Sequence, residues 1–445
     1  MNKQEAIKAI RDAGVVGAGG AGFPTWKKMT SEVEYLIANG AECEPLLFKD
    51  RETMINEAEK FIIGLQLMQS LVNASKVVIA IKEKNIDILD ILKPLTADLG
   101  YEYKIMRNVY PAGDEYVLVY EITGRQIPPG GLPLDVGAVV NNVETMVNVA
   151  KAVVDAAPLT EKFVTVNGAV HEPLTTAVPI GTSFEDLIDL AGGPTVDDFV
   201  VFTGGIMMGG VETKLDQPLT KTNSGLIVLP ADHYLVKRKT ASKKAYTGHG
   251  HSACDQCSLC TELCFRYLLG YPIHPHKVMR TMQLQGKAEE SASLWAQFCC
   301  ECNICSLFAC PEGLDPKSIC VDNKQTIRDK GLKWTDEALA NSFLAPHPVR
   351  SGREIPMKQL VLRLGLTELD QKAPFKNVQH NPLKVEIPLQ QHIGVAGRPL
   401  VSEGDKVDRG QVLSQIPDTA LGVPIHASID GVVKKANETS VIIER

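Results

Sequence analysis

The chain has 445 residues, of which 44% are hydrophobic and 22% charged, with a formal net charge of −7 at pH 7. That is enough apolar material for about three domains with cores of their own, and it excludes a mainly disordered chain. No apolar run approaches the roughly 20 residues that span a bilayer, and the acidic balance excludes the basic footprint of a nucleic-acid binder.

The charged start, Met1-Asn2-Lys3-Gln4-Glu5, has no apolar signal core and points to the cytoplasm. Residues 3–13 then set Ala6, Ala9, Ile10 and Ala13 on one helical face. After a glycine-rich loop, Val33 to Ala38 reads as a buried strand and residues 53–73 as one long amphipathic helix. A strand over 76–81, a helix over 86–98 and a strand over 101–106 continue the alternation. Such alternation predicts an α/β domain with largely parallel pairing, assigned to residues 1–157.

The texture changes in residues 158–235. Asn167-Gly168 between β-rich runs predicts a tight hairpin turn. Thr182 and Glu185 have capping-box spacing for a helix that stops at Gly192. Strands over 198–203 and 225–229 complete a small β+α unit. A basic stretch opens the cysteine-rich region, 236–330. Residues 331–378 read as a connector with one short helix over 356–364, and 379–445 as a small all-β domain of short runs and turns.

Ten of the 11 cysteines lie between Cys254 and Cys320. In a reducing compartment such clustering points to metal or redox chemistry rather than disulfides. The first run is Cys254, Cys257, Cys260 and Cys264; the second is Cys299, Cys302, Cys305 and Cys310, followed by Pro311. Three thiolates at steps of three residues wrap one corner of a cubane, and the fourth cysteine of each run ligates the other cluster. The two [4Fe–4S] sets are then Cys254, Cys257, Cys260 and Cys310, and Cys299, Cys302, Cys305 and Cys264. Zinc ribbons, the alternative, need only paired knuckles and no third cysteine in step. Cys300 competes with Cys299 for one position, and Cys320 reads as a core thiol. The second run also carries one residue more than the first before its last cysteine.

The loop Gly17-Ala18-Gly19-Gly20-Ala21-Gly22 contains G-x-G-x-x-G, yet a helix precedes it where a dinucleotide fold needs a strand. Its glycines still let backbone amides approach a phosphate, with Lys28 in reach of the same anion. Three polar segments follow strands, at Asn39 to Pro45, Tyr110 to Glu115 and Val140 to Thr145. Strand ends of an open α/β sheet are where ligands bind.

Together GAGGAGFPT, NGAECEPLLFKDR, YPAGDE and NNVET resemble the flavin-binding segments of the NADH-oxidising subunit of respiratory complex I, and still more the C subunit of Rnf electron-transport complexes. Residues 165–230 resemble the soluble-ligand-binding β-grasp (SLBB) domain of both, and the C-terminal region a barrel-sandwich hybrid. Flavin domain first and barrel-sandwich last is the order of Pdu-type cobalamin reductases. The resemblance implies a multidomain α/β and β protein: an FMN/NADH-binding α/β domain, a β-grasp domain, a ferredoxin-like helical region with two [4Fe–4S] clusters, and the barrel-sandwich. FMN would meet Gly17, Gly19, Gly20 and Lys28 on its phosphate side, and Asn39, Glu42, Gly113, Asp114, Glu115, Asn141, Asn142 and Thr145 along its ring. Glu44 matches a position that meets the nicotinamide nucleotide, while Cys43 is expected to serve packing. Ala18 and Ala41 depart from the arginine and aspartate common there.

The function so implied is an NADH-dependent cobalamin reductase inside a propanediol-utilisation microcompartment of the cytoplasm. Electrons would pass through FMN and the two clusters to a corrinoid, directly or through an adenosyltransferase, among shell or enzyme partners. The rivals are an Rnf-C-like electron-transport subunit and a non-catalytic iron–sulfur carrier. Lys434-Lys435 lacks the frame of a lipoyl or biotinyl lysine, so the barrel-sandwich is expected to be structural or to dock.

Overall fold

A computed structural model describes residues 2–445. The first helix, Lys3–Asp12, is closed by a capping box in which Asn2 and Glu5 exchange side-chain-to-backbone hydrogen bonds. Four strands, Tyr35–Gly40, Lys76–Lys82, Glu102–Met106 and Ala138–Asn142, form an all-parallel sheet with Tyr35–Gly40 and Lys76–Lys82 in the centre. The region expected as one helix over 53–73 is two, Lys49–Asn56 and Ala58–Val72, because Glu57 leaves helical geometry (φ −122°) between them. On one face of the sheet Ala58–Val72 packs against Val143–Val154 so tightly that a Cβ on Gly64 would stand 1.9 Å from the Met146 carbonyl oxygen. Only glycine permits that approach.

The opposite face has no core of its own. Ile37, Ala80 and Val140 share one apolar cluster with Phe202 and Ile227 of the next domain, with Phe265, Cys302 and Ile304 of the cysteine region, and with Leu360 of the connector. The cysteine region is thereby built into the sheet domain.

The second sheet runs Leu174–Pro179, Glu161–Gly168, Gly225–Pro230, Phe199–Thr203, Gly210–Glu212, with Glu161–Gly168 and Gly225–Pro230 parallel. The tight turn expected at Asn167-Gly168 is not there. Both residues stay in the strand, Gly168 pairs with Val228, and the reversal falls over residues 169–173. Asn167 is buried, and its amide donates to the carbonyls of Leu46 and Gln371 at 3.0 Å each. The helix after it is Phe184–Leu190, capped by Ser183 rather than Thr182.

The connector laces the other parts together. Ile355–Pro356 pairs with Val109–Tyr110, and Phe375 bridges to Thr175. The last domain has its own core, including Val385, Leu413 and Ile443, and it rests on the glycine loop. Trp26 Nε1 donates to Gly422 O at 3.0 Å, and Ile393 N to Gly22 O at 3.2 Å. Buried Lys221 joins three domains, donating to Gly14 O at 2.8 Å and to Pro424 O at 3.3 Å. Among the described residues, no helix is long and apolar enough to cross a membrane.

Candidate functional site

The glycine loop is a short hairpin closed by a Val16–Pro24 bridge, and Gly17 N donates to Phe23 O at 3.0 Å. Gly19, Gly20 and Ala21 form its exposed tip. A side chain on Gly19 would meet Asn142 Nδ2 at 2.8 Å, whereas a Cβ on Gly20 has nothing within 4 Å. The loop therefore stands over the carboxyl ends of the parallel strands, where Asn39 pairs with Asn142 and Ala38 with Asn141. Thr145 Oγ1 accepts from Ala18 N at 3.0 Å, fixing the loop to the first turn of Val143–Val154. Asn39 Nδ2 donates to Gly113 O at 3.0 Å, and a Cβ on Gly113 would lie 2.5 Å from Ala41 O. Lys28 Nζ donates to Val140 O at 2.7 Å and lies 3.9 Å from Glu115. Burial lowers the lysine's pKa and Glu115 opposes that shift. Asp114 caps the helix Glu115–Thr123.

Two polar atoms here are buried without partners, Asn141 Nδ2 and Glu42 Oε1. One donor and one acceptor left open beside a glycine tip suit a planar polar ligand that carries a phosphate. Isoalloxazine and ribityl phosphate are such a ligand, so the residues present fit FMN.

Below the site lies a charge network that the sequence pattern does not announce. Glu144 sits between two buried lysines, with Lys49 at 3.0 Å and Lys162 in a short contact. Lys49 also meets Asp50 at 2.7 Å, and both Asp50 oxygens accept from Asn142 Nδ2 at 2.9 Å. Burial works against the Glu144 charge, but the two lysines outweigh it and its pKa is lowered. Removing one member of such a buried set typically costs about 3–5 kcal/mol.

Burial, and then the neighbouring Asp50, push the Glu42 carboxyl up to about 8. In the folded chain Glu42 therefore keeps a proton that the unfolded chain, near its ordinary 4.5, gives up. The folded state binds more protons between those values, so the stability Glu42 contributes falls as pH rises from about 4.5 to about 8. Glu42→Gln should flatten that part of the pH profile, seen as a thermal midpoint that declines less between pH 5 and 8 than in the parent (roughly one proton's worth of slope). Cys43, pushed up to about 12 by burial, stays a neutral thiol, consistent with packing.

The cysteines line two cavities. One is bordered by Cys254, Cys257, Cys260 and Cys310; the other by Cys264, Cys302 and Cys305 with both Cys299 and Cys300. The last cysteine of each run thus crosses to the other run's cavity. The backbone repeats as well. Gln256 and Ser258 flank Cys257 with φ of 62° and 64°, and Glu301 and Asn303 flank Cys302 with φ of 63° each. This register sets Cys299 opposite Cys254 and Cys300 opposite Asp255. The extra residue of the second run is taken up in a π-helical turn, Ile304–Ala309, which holds one more residue per hydrogen-bonded ring than an α-turn. Cys320 is fully buried and its thiol lies against Cys299.

Among the described residues no three His, Cys, Asp or Glu side chains converge tightly enough to hold a single ion. Walls of four or more thiols around a wider space fit a [4Fe–4S] cubane, whose sulfur ligands attach to different irons.

The two sites are joined. Tyr110 donates through its hydroxyl to Cys302 O at 2.9 Å. Arg266, two residues past Cys264, is buried with its guanidinium 2.8 Å from Asp114 and 3.6 Å from the Tyr116 ring centroid. The cavity of the second run therefore abuts the flavin-expected segments, while exposed Cys257 puts the first-run cavity at the surface.

Comparison with known proteins assigns each part. Residues 10–151 match the Nuo51 FMN-binding domain, 163–209 the SLBB domain, 253–315 a 4Fe-4S dicluster domain and 367–444 the RnfC barrel sandwich hybrid domain. The chain is 41% identical to cobalamin reductase PduS of Salmonella typhimurium, covering all of this chain and 97% of that protein. It is also 41% identical to cobalamin reductase PduS of Citrobacter freundii, over 99% and 97% of the two chains. The proton-translocating ferredoxin:NAD(+) oxidoreductase complex of Clostridium ljungdahlii holds a more distant relative, its RnfC-type component, 34% identical over 60% of this chain and 57% of that one. In fold the chain is similar to part of an NAD+-reducing [NiFe]-hydrogenase (TM-score 0.51, 21% identity), covering 75% of this chain and 64% of that chain.

Proposed function

The chain belongs to the family of cobalamin reductase PduS, and from that premise we propose that it carries electrons from NADH through FMN and two [4Fe–4S] clusters to a corrinoid. It is a flavin and iron–sulfur oxidoreductase. FMN supplies the exchange between electron pairs and single electrons, and each cluster carries one electron.

The protein's part is position, charge and exclusion of water. Amides at the tip Gly17–Gly20 would hold the phosphate, and Asn141 and Asn142 would meet the ring edge. Glu42 Oε2 lies 3.4 Å from Asp50 N, which leaves the proton on the open Oε1, ready to donate to a ligand. Cys264, Cys299, Cys302 and Cys305 would hold the inner cluster, and Cys254, Cys257, Cys260 and Cys310 the outer one. Electrons would leave at the surface beside Cys257. The single observation that supports this direction is the contact of Tyr110 and Arg266 with the inner cavity alone. Cobalamin as acceptor comes from the names of the relatives, and the propanediol-utilisation microcompartment from the domain order.

Anaerobically reconstituted protein tests the reading. NADH should bleach the flavin within the mixing time of a turnover experiment, and added cob(III)alamin should restore its colour. Flavin left unbleached over dithionite-reducible clusters would instead mark an electron carrier.

A further inference from the structure

The loop Gly204-Gly205-Ile206-Met207-Met208-Gly209-Gly210 leaves the β-grasp sheet and enters the space between the two sites. Glu44 reaches it from the flavin side: its Oε2 accepts from Met207 N at 2.7 Å and its Oε1 from Met208 N at 2.9 Å. The fit depends on glycine, because a Cβ on Gly205 would stand 2.5 Å from the Glu44 carboxyl carbon. From the opposite side Asn303, buried between Cys302 and Cys305, donates through Nδ2 to Met207 O at 2.6 Å. Lys239 Nζ closes the ring, donating to Ile206 O at 3.2 Å and Met207 O at 3.1 Å. Its neighbour Arg238 donates to Ser306 O at 2.7 Å and Leu314 O at 2.9 Å, on the second cysteine run. Glu44 has both oxygens engaged by amides, and one residue, Met207, separates it from the inner cysteine cavity.

We propose that the loop Ile206–Gly209 is a fixed spacer that sets the inner cluster against the flavin, and that Glu44 is its positioning residue rather than a ligand of the nicotinamide nucleotide. The β-grasp domain thereby has a task in this chain: it supplies the strut across which one electron leaves the flavin and one enters the cluster, with no bond made or broken. Amides on one side and carbonyls on the other are held by opposite charges, Glu44 and Lys239, so the strut cannot slide without burying a charge unpaired. This rests on the flavin-to-cluster reading above.

Flash photoreduction of the bound flavin in reconstituted full-length protein tests the spacer without NADH or a corrinoid. Glu44→Gln keeps one acceptor but turns an NH2 toward the second amide. Asn303→Gly removes the other anchor and tolerates the positive φ. Both should retain parental FMN and iron, show faster hydrogen exchange at the Met207 and Met208 amides, and slow cluster reduction by the flavin about tenfold or more, as small misplacements do. Parental FMN, iron and cluster-reduction rates in both variants, with the loop amides exchanging faster, would overturn the spacer alone. So would a NADH affinity about tenfold weaker in Glu44→Gln with cluster reduction unchanged. A parent protein that binds no FMN would overturn the functional reading and the spacer together.

Discussion

Cys302→Ser is expected to lose close to half of the iron and acid-labile sulfide and to stop electron flow at the flavin. Cys302 is 8% exposed, lines the inner cavity, and presents its carbonyl to Tyr110 on the flavin side. A hydroxyl is a far weaker ligand than a thiolate for iron. Cys257→Ser should also lose about half of the iron, since each run serves one cluster, but with the opposite kinetic signature. Cys257 is exposed and lines the outer cavity, so reduced flavin should still fill the inner cluster while electrons no longer reach an external acceptor. Iron analysis with spectra of the reduced state separates the two variants. Full iron retention in both would contradict the two-cluster assignment. Equal loss of inner-cluster reduction in both would contradict the order of the wire.

Gly20→Arg should abolish flavin retention while the chain stays folded. A Cβ at Gly20 has no atom within 4 Å, and the residue lies at the exposed tip of the loop, so the folded chain has room for the side chain. A phosphate held by the loop's amides does not, because those amides can approach an anion only while no side chain stands between them. Desalting of the variant should give colourless flavin-free protein with the parent's thermal transition and iron content. Flavin retained at the parental level would remove the loop from the phosphate site.

The elements and chemistry that depend on residues close in sequence were legible. Cysteine steps, glycine tip and polar strand ends are local patterns, and the structure brings them together much as the spacing implies. What escaped depends on partners far away. Asn167-Gly168 has a strong turn preference, but the parallel pairing of Gly168 with Val228 holds it in a strand. Glu57 interrupts a helix whose apolar periodicity runs on without a break. Arg266 carries no signal as a tie to Asp114, which is 152 residues away. Nor does Asn303, whose partner is a backbone carbonyl 96 residues back. The left-handed residues that flank Cys257 and Cys302 are Gln, Ser, Glu and Asn, none of them the glycine that would announce such a backbone.

The glycine loop and the C-terminal domain that rests on it are first and last in the chain. Trp26 and its acceptor Gly422 are 396 residues apart, so a ribosome releases the flavin loop early and its brace only at the end of synthesis. Nascent chains therefore expose an unbraced loop throughout translation, and cofactor capture is deferred until the final residues have emerged and docked. Chains cut short by premature termination or C-terminal proteolysis would lose that brace even with every flavin-facing residue intact, which makes the far terminus a checkpoint on which copies become coloured.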